Sequence, residues 1–407
     1  MSNKNVPQIR FKGFDEDWEE KKIEDVYKRS IEKNDLTYRE KDIISVANLY
    51  YKPEVKVSSK EYLLSYNVFK LGDIAFEGNK SKDFSHGRFV ENTIGDGIVS
   101  HVFDVYRPII PYDIQYWKYA INNENVMRSL LIRCTKSATM MSALVASDFL
   151  KQKINVPNLS EQSQIGTLFC SLDKQISCSE AKLDKLRTIK KTLLKKMFAA
   201  SEENIPQIRF KGFEGAWEEK KLGEIMTEFA YGLNAAAKPY DGNNKYLRIT
   251  DIDEKTRNFD ISDLSSPNCD LNKSDSYLLK DGDIVFARTG ASVGKTYIYK
   301  NSDGKVYYAG FLIKSSTKGD INPNFVFQKT LTKQYFDYIR LISQRSGQPG
   351  VNAQELSEFI FLIPNSCEEQ SKIAKIFSSL DKQISNQEQK IEKLKAIKKT
   401  LLKKMFV

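Results

Sequence analysis

Histidine is almost missing from this chain: His86 and His101 are the two in 407 residues. Neither lies near the five scattered cysteines (Cys134, Cys170, Cys178, Cys269, Cys367), and no CxxC pair occurs, so the ligand spacing of a zinc site is absent. An odd, dispersed cysteine set reads as reduced thiols and is assigned no chemistry. No apolar run approaches the ~18 residues of a membrane span. The opening MSNKNVPQIRF has no apolar centre of the kind a signal peptide carries, so a cytoplasmic protein without membrane contact is expected.

Nucleotide motifs are lacking too. GASVGKT (Gly290 to Thr296) has three residues, not four, between its first glycine and Gly-Lys, and YIYK after it reads as a strand. A phosphate loop must open a helix, so this reading is rejected. There is no GxGxxG and no Asp/Asn-Pro-Pro-aromatic run, and EEK at Glu19 to Lys21 and Glu218 to Lys220 reads as a solvated charged face rather than half of a nuclease site. No acid/base or nucleophile constellation remains. The expectation is a non-catalytic chain, with no catalytic, cofactor-binding or metal residues.

What the chain does have is duplication. PQIRFKGF occurs at Pro7 to Phe14 and again at Pro206 to Phe213, inside the longer matches Val6 to Asp25 and Ile205 to Glu224. A second block, Glu161 to Phe198, matches Glu369 to Phe406 at 26 of 38 positions. Between these blocks the sequence diverges, sharing only islands such as GDIAF (Gly72 to Phe76) with GDIVF (Gly282 to Phe286), and INVP (Ile154 to Pro157) with FLIP (Phe361 to Pro364). Short repeat, variable segment and long repeat are performed twice.

The long repeat has a 3-4 spacing of apolar residues. Ile165, Phe169, Leu172, Ile176, Leu183, Leu186, Leu193 and Met197 lie in one copy, and Ile373, Phe377, Leu380, Ile384, Ile391, Leu394, Leu401 and Met405 in the other. This predicts two helices pairing as a coiled coil, with polar seam positions Ser179 and Lys190 in one, Gln387 and Lys398 in the other, fixing register or orientation. The two blocks hold eight basic to four acidic and ten basic to four acidic residues, which accounts for the whole net charge of +10. The rest of the chain is neutral in sum. The lysines of KKTLLKKMF complement a helix dipole or form a partner-binding face.

The variable segments read as α/β. KYLRITDID, DGDIVFART, GKTYIYK and KVYYAGFLIK suggest strands in the second, followed by one helix over NPNFVFQKTLTKQYFDYIRLIS. KDIISVANLYY, GDIAFEG and DGIVSHVFDVYRP suggest strands in the first, followed by one helix over YDIQYWKYAINNENVMRSLLI. Polar and basic residues cluster on the expected loops. The first segment offers Asn79, Lys80, Lys82, His86 and Arg88, with Arg133, Lys136 and Ser137. The second offers Arg288, Thr289, Ser292, Lys295 and Thr296, with Arg345, Ser346, Gln348 and Asn352. Arg, Lys, Asn and Gln can bond base edges in the major groove, and Ser and Thr can position phosphates, so these are the candidate DNA-binding residues. The repeated aromatics Phe11, Phe14 and Trp18, with Phe210, Phe213 and Trp217, recur while their neighbours diverge, which points to framework packing rather than base stacking.

The order PQIRFKGF…W, divergent domain with GDI.F and ARTGASVGKT, P.…EQ..I and the seam ending KKTLLKKMF, given twice, resembles the DNA specificity subunit of type I restriction-modification systems over essentially the whole chain. The first variable segment departs from the pattern, with EGNKSKDFSHGR in place of ARTGASVGKT. The resemblance implies a mixed α/β fold: two target-recognition domains separated by two long helices forming an antiparallel coiled coil, a pseudo-twofold internal repeat. The expected divisions are residues 1–158, 159–203, 204–366 and 367–407. It further implies that each domain reads one half of an interrupted, asymmetric sequence in double-stranded DNA. Two methyltransferase subunits and two restriction/translocase subunits would do the chemistry, with S-adenosylmethionine, ATP and Mg on those partners and none on this chain. The alternatives are a self-sufficient enzyme, whose motifs are lacking, and a coiled-coil scaffold without DNA recognition, which leaves the two divergent domains unexplained.

Overall fold

The computed structural model describes residues 5–53, 59–137, 141–199, 203–345 and 347–407. It divides into two compact units, Met1–Ser179 with Lys390–Val407, and Glu180–Gln389. The long repeats form the helices Leu159–Lys196 and Cys367–Lys404, uninterrupted by proline or internal helix-breaking glycine pairs. Each helix therefore gives its first part to one unit and its last part to the other.

Both units are built on one sheet plan. In the first, antiparallel strands run in the order Tyr27–Ser30, Val105–Pro108, Ile74–Glu77, Arg88–Glu91. In the second the order is Ala230–Tyr231, Leu312–Ser315, Ile284–Ala287, Thr296–Ile298. The shared GDI island has a local cause. Gly72 and Gly282 sit at φ +86° and +83°, a turn geometry that favours glycine. The aspartates after them are buried and accept from backbone amides three residues back, Asp73 from Lys70 and Asp283 from Lys280, each at 2.8 Å.

The repeated EEKK and the INV/FLI islands explain each other. Glu19–Lys22 pairs antiparallel with Lys153–Val156, and Glu218–Lys221 with Ile360–Ile363. Glu19 is exposed and pairs with the half-buried Lys21 at 2.7 Å.

Each single helix expected after the strands is two. In the first unit Ile114–Ala120 ends and Glu124–Cys134 begins at Asn123, whose side chain accepts from the Asn125 amide as an N-cap. In the second, Pro323–Lys329 and Lys333–Ile342 are separated where the Thr330 and Thr332 hydroxyls donate to the Phe327 and Lys329 carbonyls, at 2.7 and 2.8 Å. Serine, threonine and asparagine compete with the helix ladder in this way, and the apolar periodicity runs on regardless. The strand Arg88–Glu91, in a stretch expected to be loop, completes the first sheet.

Within each unit the helices pair in opposite senses. Lys398, late in one helix, meets Asp173, early in the other, at 2.5 Å, and Lys190 meets Asp381 at 2.5 Å in the second unit. The polar seam lysines thus carry acidic partners at repeat-related positions. The helix endings close the cores. Phe406 packs edge-on to Trp18 and against Tyr116 and Phe169, at ring separations of 6.5, 5.6 and 5.7 Å. Phe198 does the same with Trp217, Phe325 and Phe377, at 6.5, 5.2 and 5.7 Å. The Lys329 ammonium donates to the Ala199 carbonyl at 3.3 Å beneath that ending, and burial pushes its pKa down to about 8.

The short repeats lock onto the starts of the helices. Arg10 grips the buried Glu161 with two bonds of 2.7 and 2.8 Å, and Trp18 Nε1 donates to the same carboxylate at 3.1 Å. Arg209 holds Glu369 at 2.8 and 2.9 Å. The repeated tryptophans are buried, which is the framework role expected of them.

Candidate nucleic-acid interface

In each unit the strand carrying the GDI island ends at a loop cluster gathered from distant parts of the chain. In the second unit, Thr289 bridges to Gly350, the Gly290 amide donates to the Pro349 carbonyl at 2.9 Å, and the Val351 amide to the Arg288 carbonyl at 2.9 Å. Both candidate clusters of that unit are thereby one surface. In the first unit, Asn79 bridges to Met141 and the Ser142 amide donates to the Gly78 carbonyl at 2.7 Å. This brings the 79–88 loop beside the hairpin Thr135–Ser137 and Ser142–Leu144, on which Lys136 and Ser137 lie.

The candidates do not all remain available on those surfaces. Thr296 is buried, its hydroxyl 2.7 Å from that of Thr330, so it packs the sheet against a helix and presents nothing to a ligand. Asn352 caps the helix Ala353–Ser357, accepting from the Glu355 amide at 2.8 Å while the Glu355 carboxylate accepts from the Asn352 amide at 2.9 Å. Arg88 is tied to Glu77 at 2.8 Å and to the Ala47 carbonyl at 2.6 Å, and lies over the Phe84 ring. Lys295 is paired with Glu254. Arg345 is paired with Glu355 and donates to the Ile342 carbonyl at 2.7 Å.

Lys80, Lys82, Lys136 and Gln348 are exposed, and His86, Thr289 and Ser292 half-buried. Asn79 is exposed and donates to Glu77 at 3.2 Å, and Arg133 is exposed and donates to Gln152 at 2.8 Å. Ser346 lies outside the described residues, as does the side chain of Ser137. Arg288 stands apart. Its guanidinium lies over the Tyr231 ring at 4.8 Å, and it has no ion pair or side-chain hydrogen bond among the described residues. Tyr231 is held by the Ala353 amide, which donates to its hydroxyl at 3.2 Å. Sequence reading missed Tyr231 and Phe311, because a lone aromatic in a diverged segment has no pattern to mark it.

GASVGKT forms a single 3-10 turn, Gly290–Ser292, followed by the strand Thr296–Ile298. Among the described residues no group of three or more His, Cys, Asp or Glu could hold a metal ion, and no helix is long and apolar enough to cross a membrane.

Two like α/β units, each closed by paired pieces of two long helices, define a duplicated two-domain fold. The family model for the type I restriction modification DNA specificity domain matches residues 15–188 and 214–396, and the chain belongs to this family. It is 26% identical over 211 residues to the type I restriction enzyme MjaX specificity subunit of Methanocaldococcus jannaschii, covering 50% of this chain and 49% of that protein. It is 21% identical over 250 residues to the type I restriction enzyme EcoKI specificity subunit of Escherichia coli K12, covering 57% and 53%. The matched part thus spans about half the length of these curated relatives. The crystal structure of a type I restriction-modification S subunit from M. genitalium shares the fold, with a TM-score of 0.62 and 17% identity over 99% of both chains.

Proposed function

We infer that this chain is the DNA-reading, non-catalytic subunit of a type I restriction-modification complex. It takes a bipartite, asymmetric target in double-stranded DNA, one half per unit, and directs methyltransferase and restriction/translocase subunits. S-adenosylmethionine, ATP and Mg belong to those partners. The observation that carries the reading is the contrast between what is repeated and what is not. The Arg10–Glu161 and Arg209–Glu369 locks, the buried tryptophans and the seam ion pairs recur at corresponding places. The loop clusters at the sheet ends have the same backbone bridge and different side chains. A common frame suits like partners, and unlike loops suit unlike half-sites. A sequence that is neutral in sum outside the two long repeats is compatible with this, since partner subunits can supply phosphate contacts, the salt-dependent part of DNA affinity.

Exchange of Val26 to Pro157 for the corresponding segment of another family member tests it. Mapping of methylated adenines in cells carrying the complex is expected to show one half of the motif changed and the other kept. A change in both halves would refute independent reading, and a change in neither would refute reading by these units.

A further inference from the structure

Strand register aligns three positions at the loop end of the two sheets. Ile284 faces Ser315 and Ala287 faces Leu312, and one step on, the Arg288 amide donates to the Phe311 carbonyl at 3.1 Å. Tyr231 faces Ile313 on the outer strand. In the first unit Ile74 faces Tyr106 and Ala75 faces Val105, so the same steps lead to Gly78 and Val102. Ser30 faces Val105, which sets Ile31 where Tyr231 stands. The second unit therefore carries Tyr231, Arg288 and Phe311, and the first carries Ile31, Gly78 and Val102.

All four flanking residues are apolar and open to solvent: Ile31 85%, Val102 70%, Phe311 61% and Tyr231 43% exposed. Such residues at the same sheet end in both units mark a surface that meets something other than water. The difference lies in the middle position, a guanidinium in one unit and no side chain in the other.

Arg288 is prepared for a ligand in a way that the other candidate arginines are not. Arg88 and Arg345 are held in ion pairs with Glu77 and Glu355, and Arg133 gives its Nε to Gln152. Arg288 has its Nε buried without a partner among the described residues, while its guanidinium carbon lies 4.8 Å from the centre of the Tyr231 ring. An arginine stacked on an aromatic ring keeps its forked edge available, and that fork matches O6 and N7 of guanine. A phosphate could also take the fork. The exposed phenyl of Phe311 beside it gains nothing from a phosphate and suits the methyl groups and base edges on a groove floor.

We propose that Arg288, positioned by Tyr231, reads a guanine in the half-site taken by the second unit; this rests on the DNA-reading function proposed above. The first unit has no equivalent donor, so the demand for that guanine belongs to one half-site only.

The test uses the full chain with its methyltransferase partner in a host free of other adenine methylation, with methylated adenines mapped for wild type, Arg288→Ala, Tyr231→Ala and Tyr231→Phe. Arg288→Ala is expected to leave the first half-site intact and to lower discrimination at one G·C pair of the second by about ten- to a hundredfold. Tyr231→Ala is expected to weaken the same demand, and Tyr231→Phe, which keeps the ring, to retain it. If Arg288→Ala gives no methylation, Arg288→Lys decides: it keeps the charge without the fork, so a relaxed pair supports the proposal and an unrelaxed one overturns it. Methylation that falls with every position still demanded marks a phosphate contact and overturns it, as does an unchanged motif or a change in the first half-site. A wild-type complex that shows no bipartite motif overturns the DNA-reading function itself.

Discussion

Glu91 puts a carboxyl group where the second unit has an isoleucine. It faces Ile74 across the sheet as Ile298 faces Ile284. The residue is 3% exposed, and among the described residues no group meets the geometry of a hydrogen bond to either oxygen. Around it are Tyr27 and Tyr112, whose hydroxyls bond each other at 2.7 Å, and Trp117 stacks on Tyr112 at 5.4 Å. Burial pushes the Glu91 pKa well above the usual carboxylate range; Tyr112 and Lys118 offset part of the shift and Asp113 adds to it. The sign follows. Above the ordinary value of about 4.3 the unfolded chain releases a proton that the folded chain retains, so the first unit loses stability as pH rises. The slope is about 1.4 kcal/mol per pH unit until the raised folded pKa is passed. Glu91→Gln should remove this slope, and Glu91→Ile should also remove the buried polar group, a gain of about 1–3 kcal/mol at neutral pH. Urea titrations at pH 5, 6 and 7, read by hydrogen exchange in Ile74–Glu77 with Ile284–Ala287 as reference, measure it. Parallel pH dependences for wild type and Glu91→Gln would refute the reasoning.

Phe406→Ala should cost the first unit about 3–5 kcal/mol and leave the second unchanged, with Phe198→Ala doing the reverse; exchange protection of the two sheets reads both, and equal loss in both units from either change would contradict separate cores. Glu161→Ala leaves the half-buried guanidinium of Arg10 and the buried Trp18 Nε1 without their shared acceptor and should cost about 1–3 kcal/mol. Glu369→Ala should be milder by about 1 kcal/mol or more, because Trp217 donates no bond to Glu369 as Trp18 does to Glu161, and Arg209 keeps the Gly215 and Glu214 carbonyls at 2.5 and 3.2 Å. Chemical denaturation of the two variants compares them, and a costlier Glu369→Ala would be the contrary result.

Repetition and periodicity are properties of a string, so the duplicated plan, the seam and most strands are legible in the residue order alone. Pairing is not. Nothing in EEKK says that INV and FLI lie beside it, and nothing in ARTG says that QPGV closes over it, because both contacts join segments more than fifty residues apart. The helix breaks at Asn123 and Thr330 were hidden by apolar spacing that continues through them. For the candidate interface, residue type picked out loops that the fold brings together in each unit, and several of their members have local partners instead. Asn352 and Thr296 are polar for local reasons, as a cap and a hydroxyl pair, and Arg88 for an ion pair within its own sheet. Arg288 differs by what does not bind it, a property of the folded arrangement that no residue pattern carries.

The first unit's dependence on Phe406 has a temporal side. A ribosome finishes Ser179 long before it reaches Lys390, and at about 5–20 residues per second the wait is some tens of seconds. Through that interval Trp18, Tyr116 and Phe169 lack the ring that covers them, while the second unit already has Phe198 in hand before its own domain is made. The half translated first is therefore completed last. A frameshift just before the codon for Phe406 would damage a domain whose strands were translated hundreds of codons earlier, and the nascent first domain is where a chaperone would have the longest opportunity to bind.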